Sequence, residues 1–248
     1  MALLKLLLLL LGLGAAVNSD SVSLQKRIIG GKPCLKTERH YHVEITGRIE
    51  EEEFFCGGSL ISDRWILTAA HCAAPWGLTA QLGEHPNNNK EIVELDQIVM
   101  FGPKHDIVMV RLQTPTKIPP VKLPDLPCQS PPLQIGDTVQ LAGYASTRKS
   151  RLFSNRKPGR NNGPLQCVDM DVVDFQSKPD PKFGHIFRVK TAKKDVCYGD
   201  SGGGVVRNNM IYGVISFTED PKKACKKPAG LINVCEYLDK IKEVIARP

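Results

Sequence analysis

An all-β fold, barrel or sandwich, closed by one short helix, is what this sequence predicts. Three observations lead there. From residue 28 onward the apolar residues fall in short runs broken by Gly, Pro, Asn and Asp; the runs are rich in Val and Ile and too short for helices; and only the final stretch, "CEYLDKIKEVIARP", repeats its apolar residues at helical spacing.

In chain order, "HYHVEI" (40–45), "GSLIS" (58–62) and "WILTAA" (65–70) read as strands, because β-branched residues suit a pleated, half-buried surface. "EIVELDQIVM" (91–100) and "DIVMVRL" (106–112) follow, then "TVQLAGY" (138–144), "VDMDVVD" (168–174), "GGVVR" (203–207) and "MIYGVISF" (210–217). At the end, Tyr237, Leu238, Ile241, Val244 and Ile245 recur at the spacing of one helical face. No internal repeat interrupts this order. Segment 148–160, "RKSRLFSNRKPGR", sets six basic residues among Pro, Gly, Ser and Asn and reads as an exposed loop.

The chain has 248 residues, 42% of them hydrophobic, enough for one large domain or two small packed lobes. Residues 3–16 form a leucine run containing Lys5 and ending in small residues. That is the pattern of a secretory signal peptide over 1–16, its end falling between 16 and 19, and not of a membrane span. No later stretch approaches the roughly 18 to 20 apolar residues a bilayer requires. The expectation is a soluble monomer, secreted to the extracellular space, with no membrane partner.

Eight cysteines fit that oxidising compartment. No CxxC pair occurs, so no metal site is expected. The formal charge is +7, and the first 27 residues hold Lys5, Lys26 and Arg27 against Asp20, leaving about +5 for the remainder. The basic residues are spread over several loops without a recognition helix or stacking motif, so nucleic acid is not an expected partner.

Three fragments hold residue types suited to catalysis. "KKDVCYGDSGGG" (193–204) sets Ser201 between Asp200 and three glycines, where the backbone can turn sharply and bring amide N–H groups to a bound carbonyl. "ILTAAHC" (66–72) puts His71 at the end of an apolar strand beside Cys72, and "KHDIVMVRL" (104–112) puts Asp106 just before another. Taken singly, each also reads as an ordinary feature: a Gly-rich turn, a packed histidine, a turn aspartate.

Taken together, the order His71, Asp106, Ser201, the cysteine beside the histidine, GDSGG around the serine, "CGGSLIS" at 56–62 and "VCEYL" near the end resemble the chymotrypsin family of serine endopeptidases. The resemblance runs over nearly the whole chain from Ile28. It implies two packed six-stranded antiparallel β-barrels with the active site between them and a C-terminal α-helix. His71 would take the proton of Ser201 and return it to the leaving amine, with Asp106 fixing the imidazole; the N–H groups of Gly199 and Ser201 would form the oxyanion hole. Ser216, Phe217 and Thr218 resemble the strand that pairs with extended substrate.

"QKRIIGGKPC" (25–34) resembles the family's activation junction. Residues 17–27 would then be an activation propeptide and 28–248 the protease domain. Cleavage after Arg27 by an activating protease would free an ammonium on Ile28, which folds inward to Asp200 and needs that partner to offset its desolvation. Family pairing would join Cys34 to Cys167, Cys56 to Cys72, Cys128 to Cys235 and Cys197 to Cys225; spacing alone leaves on the order of a hundred connectivities open.

Asp195, six residues before Ser201, matches the carboxylate at the base of the trypsin pocket, which selects Arg or Lys through charge-assisted hydrogen bonds. Thr218 and Ala229 stand where trypsins have glycines and would narrow that slot. The loop "GEHPNNNKEIVEL" is short where trypsins bind calcium, so no cofactor is carried over. Gly204 replaces a usual proline, and "LAGYAS" lacks a usual tryptophan.

The function these residues imply is a secreted serine endopeptidase, made as a zymogen and cutting after Arg or Lys. Its partners are polypeptide substrates, an activating protease and serine protease inhibitors. The acidic run Glu50 to Glu53 reads first as a solvated acidic loop and second as a loop near the leaving side of the cleft that prefers basic residues in substrate. The loop 148–160 reads as a solvated surface, a site of self-cleavage or a seat for an acidic, heparin-like glycan. The alternative from another class is a protease-shaped binding protein with little or no turnover.

Overall fold

The computed structural model describes residues 28, 30–49, 52–74, 76–125, 128, 132–144, 163–192, 194–196, 199–218 and 228–247. The predicted signal peptide and propeptide with Arg27, the segment 148–160, Glu50, Glu51, Cys197 and Cys225 lie outside the described residues.

Among the described residues, twelve of the thirteen strands build two antiparallel barrels. The first contains β2 (His42–Ile49), β3 (Glu52–Leu60), β4 (Trp65–Thr68), β5 (Trp76–Leu82), β6 (Glu91–Met100) and β7 (Val108–Leu112), closed in the order β2-β3-β4-β7-β6-β5. The second contains β8 (Thr138–Gly143), β9 (Gln166–Phe175), β10 (Ile186–Lys190), β11 (Gly204–Arg207), β12 (Met210–Thr218) and β13 (Ala229–Asn233). It runs β9-β10-β13-β12-β11-β8 and closes where β8 pairs back onto β9, Leu141 opposite Val168. A two-residue β1 (Lys32–Pro33) adds to the edge of β9.

A six-stranded barrel has an interior only wide enough for side chains, so the inward positions of each strand must be apolar. In the second barrel Val139 and Leu141, then Val168, Met170 and Val172, then Phe187 and Val189 alternate inward and form one buried cluster with Ile28, Val205, Ile215 and Leu231. In the first barrel Val43 and Ile45 meet Leu78, Ala80 and Leu82. That cluster continues through Val206, Ile211, Val214 and Ile232 of the second barrel, which is how the two barrels adhere. Of the five residues of β7 only Arg111 is not fully buried, which explains its unbroken apolar run: the strand packs on both faces.

The chain ends in helix α1 (Leu238–Ala246), which buries Leu238, Ile241 and Val244. A 3-10 turn, Val234–Tyr237, leads into it, with the Asn233 side chain accepting from the amide of Cys235 (3.3 Å). Disulfides join Cys34 to Cys167, Cys56 to Cys72 and Cys128 to Cys235. The all-β class, the two barrels and the terminal helix are thus the architecture expected from the sequence. One detail differs. β4 stops at Thr68, and His71 sits in a 3-10 turn, Ala70–Ala73, not at a strand end, since the Cys56 to Cys72 bond draws the chain back toward β3.

Candidate active site

The candidate site lies where the barrels touch, and glycine makes the touch possible. A Cβ on Gly57 of β3 would stand 2.9 Å from the Gly203 backbone, and one on Gly202 would stand 2.2 Å from the Gly57 carbonyl. Gly57 N donates to Ser201 O (2.7 Å), while Thr68 Oγ1 donates to Gly57 O (2.8 Å). The Gly-rich loop of the second barrel that carries Ser201 is therefore pinned to the first barrel by main-chain contacts that any larger residue would open.

From the first barrel come His71 and Asp106. Asp106 is 7% exposed, immediately before β7. Its Oδ1 accepts from His71 N (2.9 Å), and its two oxygens lie 3.0 and 2.9 Å from His71 Nδ1. A carboxylate can only accept, so the proton sits on Nδ1 and Nε2 keeps its lone pair. The imidazole side chain is 46% exposed.

From the second barrel, the buried Ser216 of β12 donates its hydroxyl to Asp106 Oδ2. The carbonyl of Phe183, in the tight loop before β10, accepts from Asp106 N (2.9 Å). The Phe183 and Phe217 rings stack with centroids 4.1 Å apart, so the two supports of Asp106 from the second barrel also brace each other. Of these, Ser216 was legible from sequence only as a substrate-pairing position, and Phe183 not at all.

Ser201 is half-buried at the turn before β11. Gly199 has φ +96, a left-handed conformation that glycine adopts without steric cost. Among the described residues, the amides of Gly202 and Gly203 are committed to Ile215 O and Asp200 O, and none accepts from those of Gly199 or Ser201. Asp200 is fully buried, its carboxylate against Gly143, where a Cβ would meet Oδ1 at 1.9 Å. Ile28 is also fully buried, in the second-barrel core.

Asp195 is 3% exposed, and its Oδ1 accepts from Val196 N (2.9 Å). Thr218 and Ala229 face each other directly across β12 and β13, next to the pair Phe217 and Gly230. The Phe217 ring covers Gly230 so closely that a Cβ there would lie 2.2 Å from it.

Beside Gly57, His42 is buried with its ring edge-on to Tyr144 (5.4 Å). Burial, with the Arg39 and His85 charges nearby, pushes its pKa down to about 3. It therefore packs as a neutral ring.

A family model, Trypsin, matches residues 28–241. Human kallikrein-11 is 29% identical, the match covering 99% of this chain and 88% of that one. The snake venom serine protease pallabin-2 of Gloydius halys is 30% identical over 99% of this chain and 96% of its own. Among solved structures, the scabies mite inactivated protease paralogue S-D1 superposes with a TM-score of 0.71 at 22% identity, over 88% of this chain and 97% of that one. Neuropsin, a serine protease expressed in the limbic system of mouse brain, gives 0.67 at 24%, over 87% and 98%. Both share the fold. With the family model spanning both barrels from Ile28 into the terminal helix, the chain belongs to the trypsin family of serine proteases.

Proposed function

We propose that this protein is a secreted endopeptidase, made as a zymogen, that hydrolyses peptide bonds after Arg or Lys through His71, Asp106 and Ser201. The observation that carries the reading is the Asp106 carboxylate, buried, sharing its oxygens between His71 of the first barrel and Ser216 of the second. Such a group has one evident use at this place: it holds His71 Nδ1 protonated and leaves Nε2 as the base.

A serine hydroxyl is a weak nucleophile at neutral pH. Ser201 Oγ attacks the substrate carbonyl carbon as its proton moves to His71 Nε2. The carbonyl oxygen becomes an oxyanion received by the amides of Gly199 and Ser201. Collapse expels the amine, which takes the proton from His71, and leaves an acyl-enzyme. Water then attacks by the same route and frees Ser201.

Cleavage after Arg27 is the proposed switch, with residues 1–16 as signal, 17–27 as propeptide and 28–248 as the protease domain. It is supported by the complete burial of both Ile28 and Asp200, since a new ammonium there needs a carboxylate partner. The buried Asp195 is the proposed selector of a basic side chain, and Thr218 and Ala229 the residues proposed to narrow its entrance. Extracellular localisation, an activating protease, serine protease inhibitors and a glycan at 148–160 belong to the same proposal. No helix among the described residues is long and apolar enough to cross a membrane.

Labelling with a fluorophosphonate before and after nicking at Arg27, followed by profiling on Arg, Lys, Phe and Ala peptides, tests the reading. A nicked protein that stays unlabelled would point instead to a protease-shaped binding protein.

A further inference from the structure

His105, the residue before Asp106, is absent from the mechanism above, yet it is held as closely as Asp106 itself. Its ring lies in a slot between two glycines. A Cβ on Gly102 would stand 2.7 Å from His105 Cδ2, and one on Gly184, whose φ is +86, would stand 2.7 Å from Nδ1 and 2.4 Å from the Tyr237 hydroxyl. At the end of the slot His105 Nδ1 lies 2.7 Å from Tyr237 Oη, with the two rings perpendicular and 5.6 Å apart. The same hydroxyl accepts from His185 N (3.0 Å), and its hydrogen bond with Nδ1 takes its direction from the His105 tautomer.

The three partners come from different parts of the chain: His105 precedes β7 of the first barrel, His185 precedes β10 of the second, and Tyr237 leads into α1. One phenol thus fastens the segment carrying Asp106 to the second barrel and the chain terminus. The next residue repeats the fastening through its backbone, Asp106 N to Phe183 O. Asp106 turns both oxygens to His71 Nδ1 while Oδ2 also accepts from Ser216, groups on opposite barrels, so a slip of its segment would disturb the shared geometry at Oδ2.

We propose that His105 is a positioning residue for Asp106, acting through the Tyr237 hydroxyl to fix where the carboxylate stands between the barrels. The proposal rests on the catalytic reading of His71, Asp106 and Ser201, but its effect is also visible in the His71 ring without turnover. An ångström of misplacement at a catalytic group costs up to about a hundredfold in rate, and a partial slip should cost less.

The test uses the processed protein with His105→Ala, His105→Asn and Tyr237→Phe. His105→Ala should lower kcat, per titrated active site, by roughly tenfold with KM on a short peptide little changed. His105→Asn should restore most of it, because a carboxamide δ atom occupies the place of Nδ1. Tyr237→Phe should reproduce the His105→Ala loss, and the double variant should lose no more than either alone. In the Ser201→Ala background, 15N shifts of the His71 ring should show the Nδ1–H tautomer in wild type and His105→Asn, and a mixture in His105→Ala. Unchanged ring shifts in His105→Ala overturn the proposal, as does a lowered melting temperature with kcat per site intact. If wild type lacks turnover altogether, the catalytic reading fails and the ring shifts alone decide the role of His105.

Discussion

Ser216 Oγ donates to Asp106 Oδ2, joining β12 of the second barrel to the segment before β7 of the first, 110 residues apart in sequence. Oδ2 lies against both Ser216 and His71 Nδ1, while Oδ1 faces Nδ1 and the amide of His71. Orientation of the imidazole thus depends on both barrels, and the site exists only when they are packed together.

Ser216→Ala is expected to lower kcat/KM by about tenfold, the order of one hydrogen bond to a charged acceptor, with the barrels still folded. Asp106→Asn should cost far more, since a carboxamide can present its NH2 to His71 and turn the ring to the wrong tautomer. Steady-state kinetics on one peptide substrate, with thermal melts as a control, checks both.

The Asp195 assignment decides the substrate class. Removing a buried carboxylate leaves an incoming cation unpaired, at roughly 3 to 5 kcal/mol. Asp195→Ser should therefore cut activity on Arg and Lys peptides by orders of magnitude and leave Phe and Ala peptides far less affected. Because Thr218 and Ala229 are cross-strand partners, replacing both with glycine should widen one shared slot and raise turnover on basic peptides without changing the preference for charge. Each glycine should also cost up to about 1 kcal/mol of strand stability, read by urea unfolding. An Arg preference that survives Asp195→Ser would remove the trypsin-like specificity while leaving the protease reading in place.

Arg27→Gln should yield a secreted, folded protein without amidase activity, because the barrels do not require the cut while the proposed Ile28 to Asp200 pair does. Secretion, circular dichroism and amidase assays on the mutant and the processed wild type test this. Equal activity in the uncut variant would show that Ile28 already serves without a free ammonium.

His42 sets an acid limit on stability. Its folded pKa of about 3 lies below the ordinary imidazole value of 6.5, so the unfolded chain binds a proton first as pH falls. Its neutral packing is fully retained above about pH 6.5 and is lost progressively from there toward pH 3, by on the order of a few kcal/mol. His42→Gln should flatten that fall in urea unfolding measured at pH 7 and pH 4. An equal fall in the mutant would mean other groups set the acid limit.

Strands whose own residues alternate or run apolar were legible: β6, β8 and β12 lie within a residue or so of the stretches "EIVELDQIVM", "TVQLAGY" and "MIYGVISF". β5, β10 and β13 were not. "WGLTAQL" is interrupted by Gly77, which has positive φ; "IFRVK" puts Arg188 and Lys190 into a five-residue strand; and "AGLIN" follows Pro228 and contains Gly230, so it reads as a turn. Each becomes a strand because a neighbour supplies the pairing: β10 lies between β9 and β13, and β13 between β10 and β12. The site divides in the same way. His71, Asp106 and Ser201 sit in locally distinctive fragments, whereas the Ser216 hydroxyl, the Phe183 carbonyl and the Tyr237 phenol meet the 105–106 segment only after the barrels close.

The most direct measurement is the rate of fluorophosphonate labelling at Ser201 in protein nicked after Arg27, compared with His71→Ala and Asp106→Ala prepared the same way. A hydroxyl activated by an Nδ1-protonated imidazole should be labelled rapidly in the nicked wild type, slowly in both variants, and hardly at all before nicking. Equal labelling of wild type and His71→Ala, or none in the nicked wild type under conditions where the barrels remain folded, would contradict the assignment of His71, Asp106 and Ser201 as one catalytic unit.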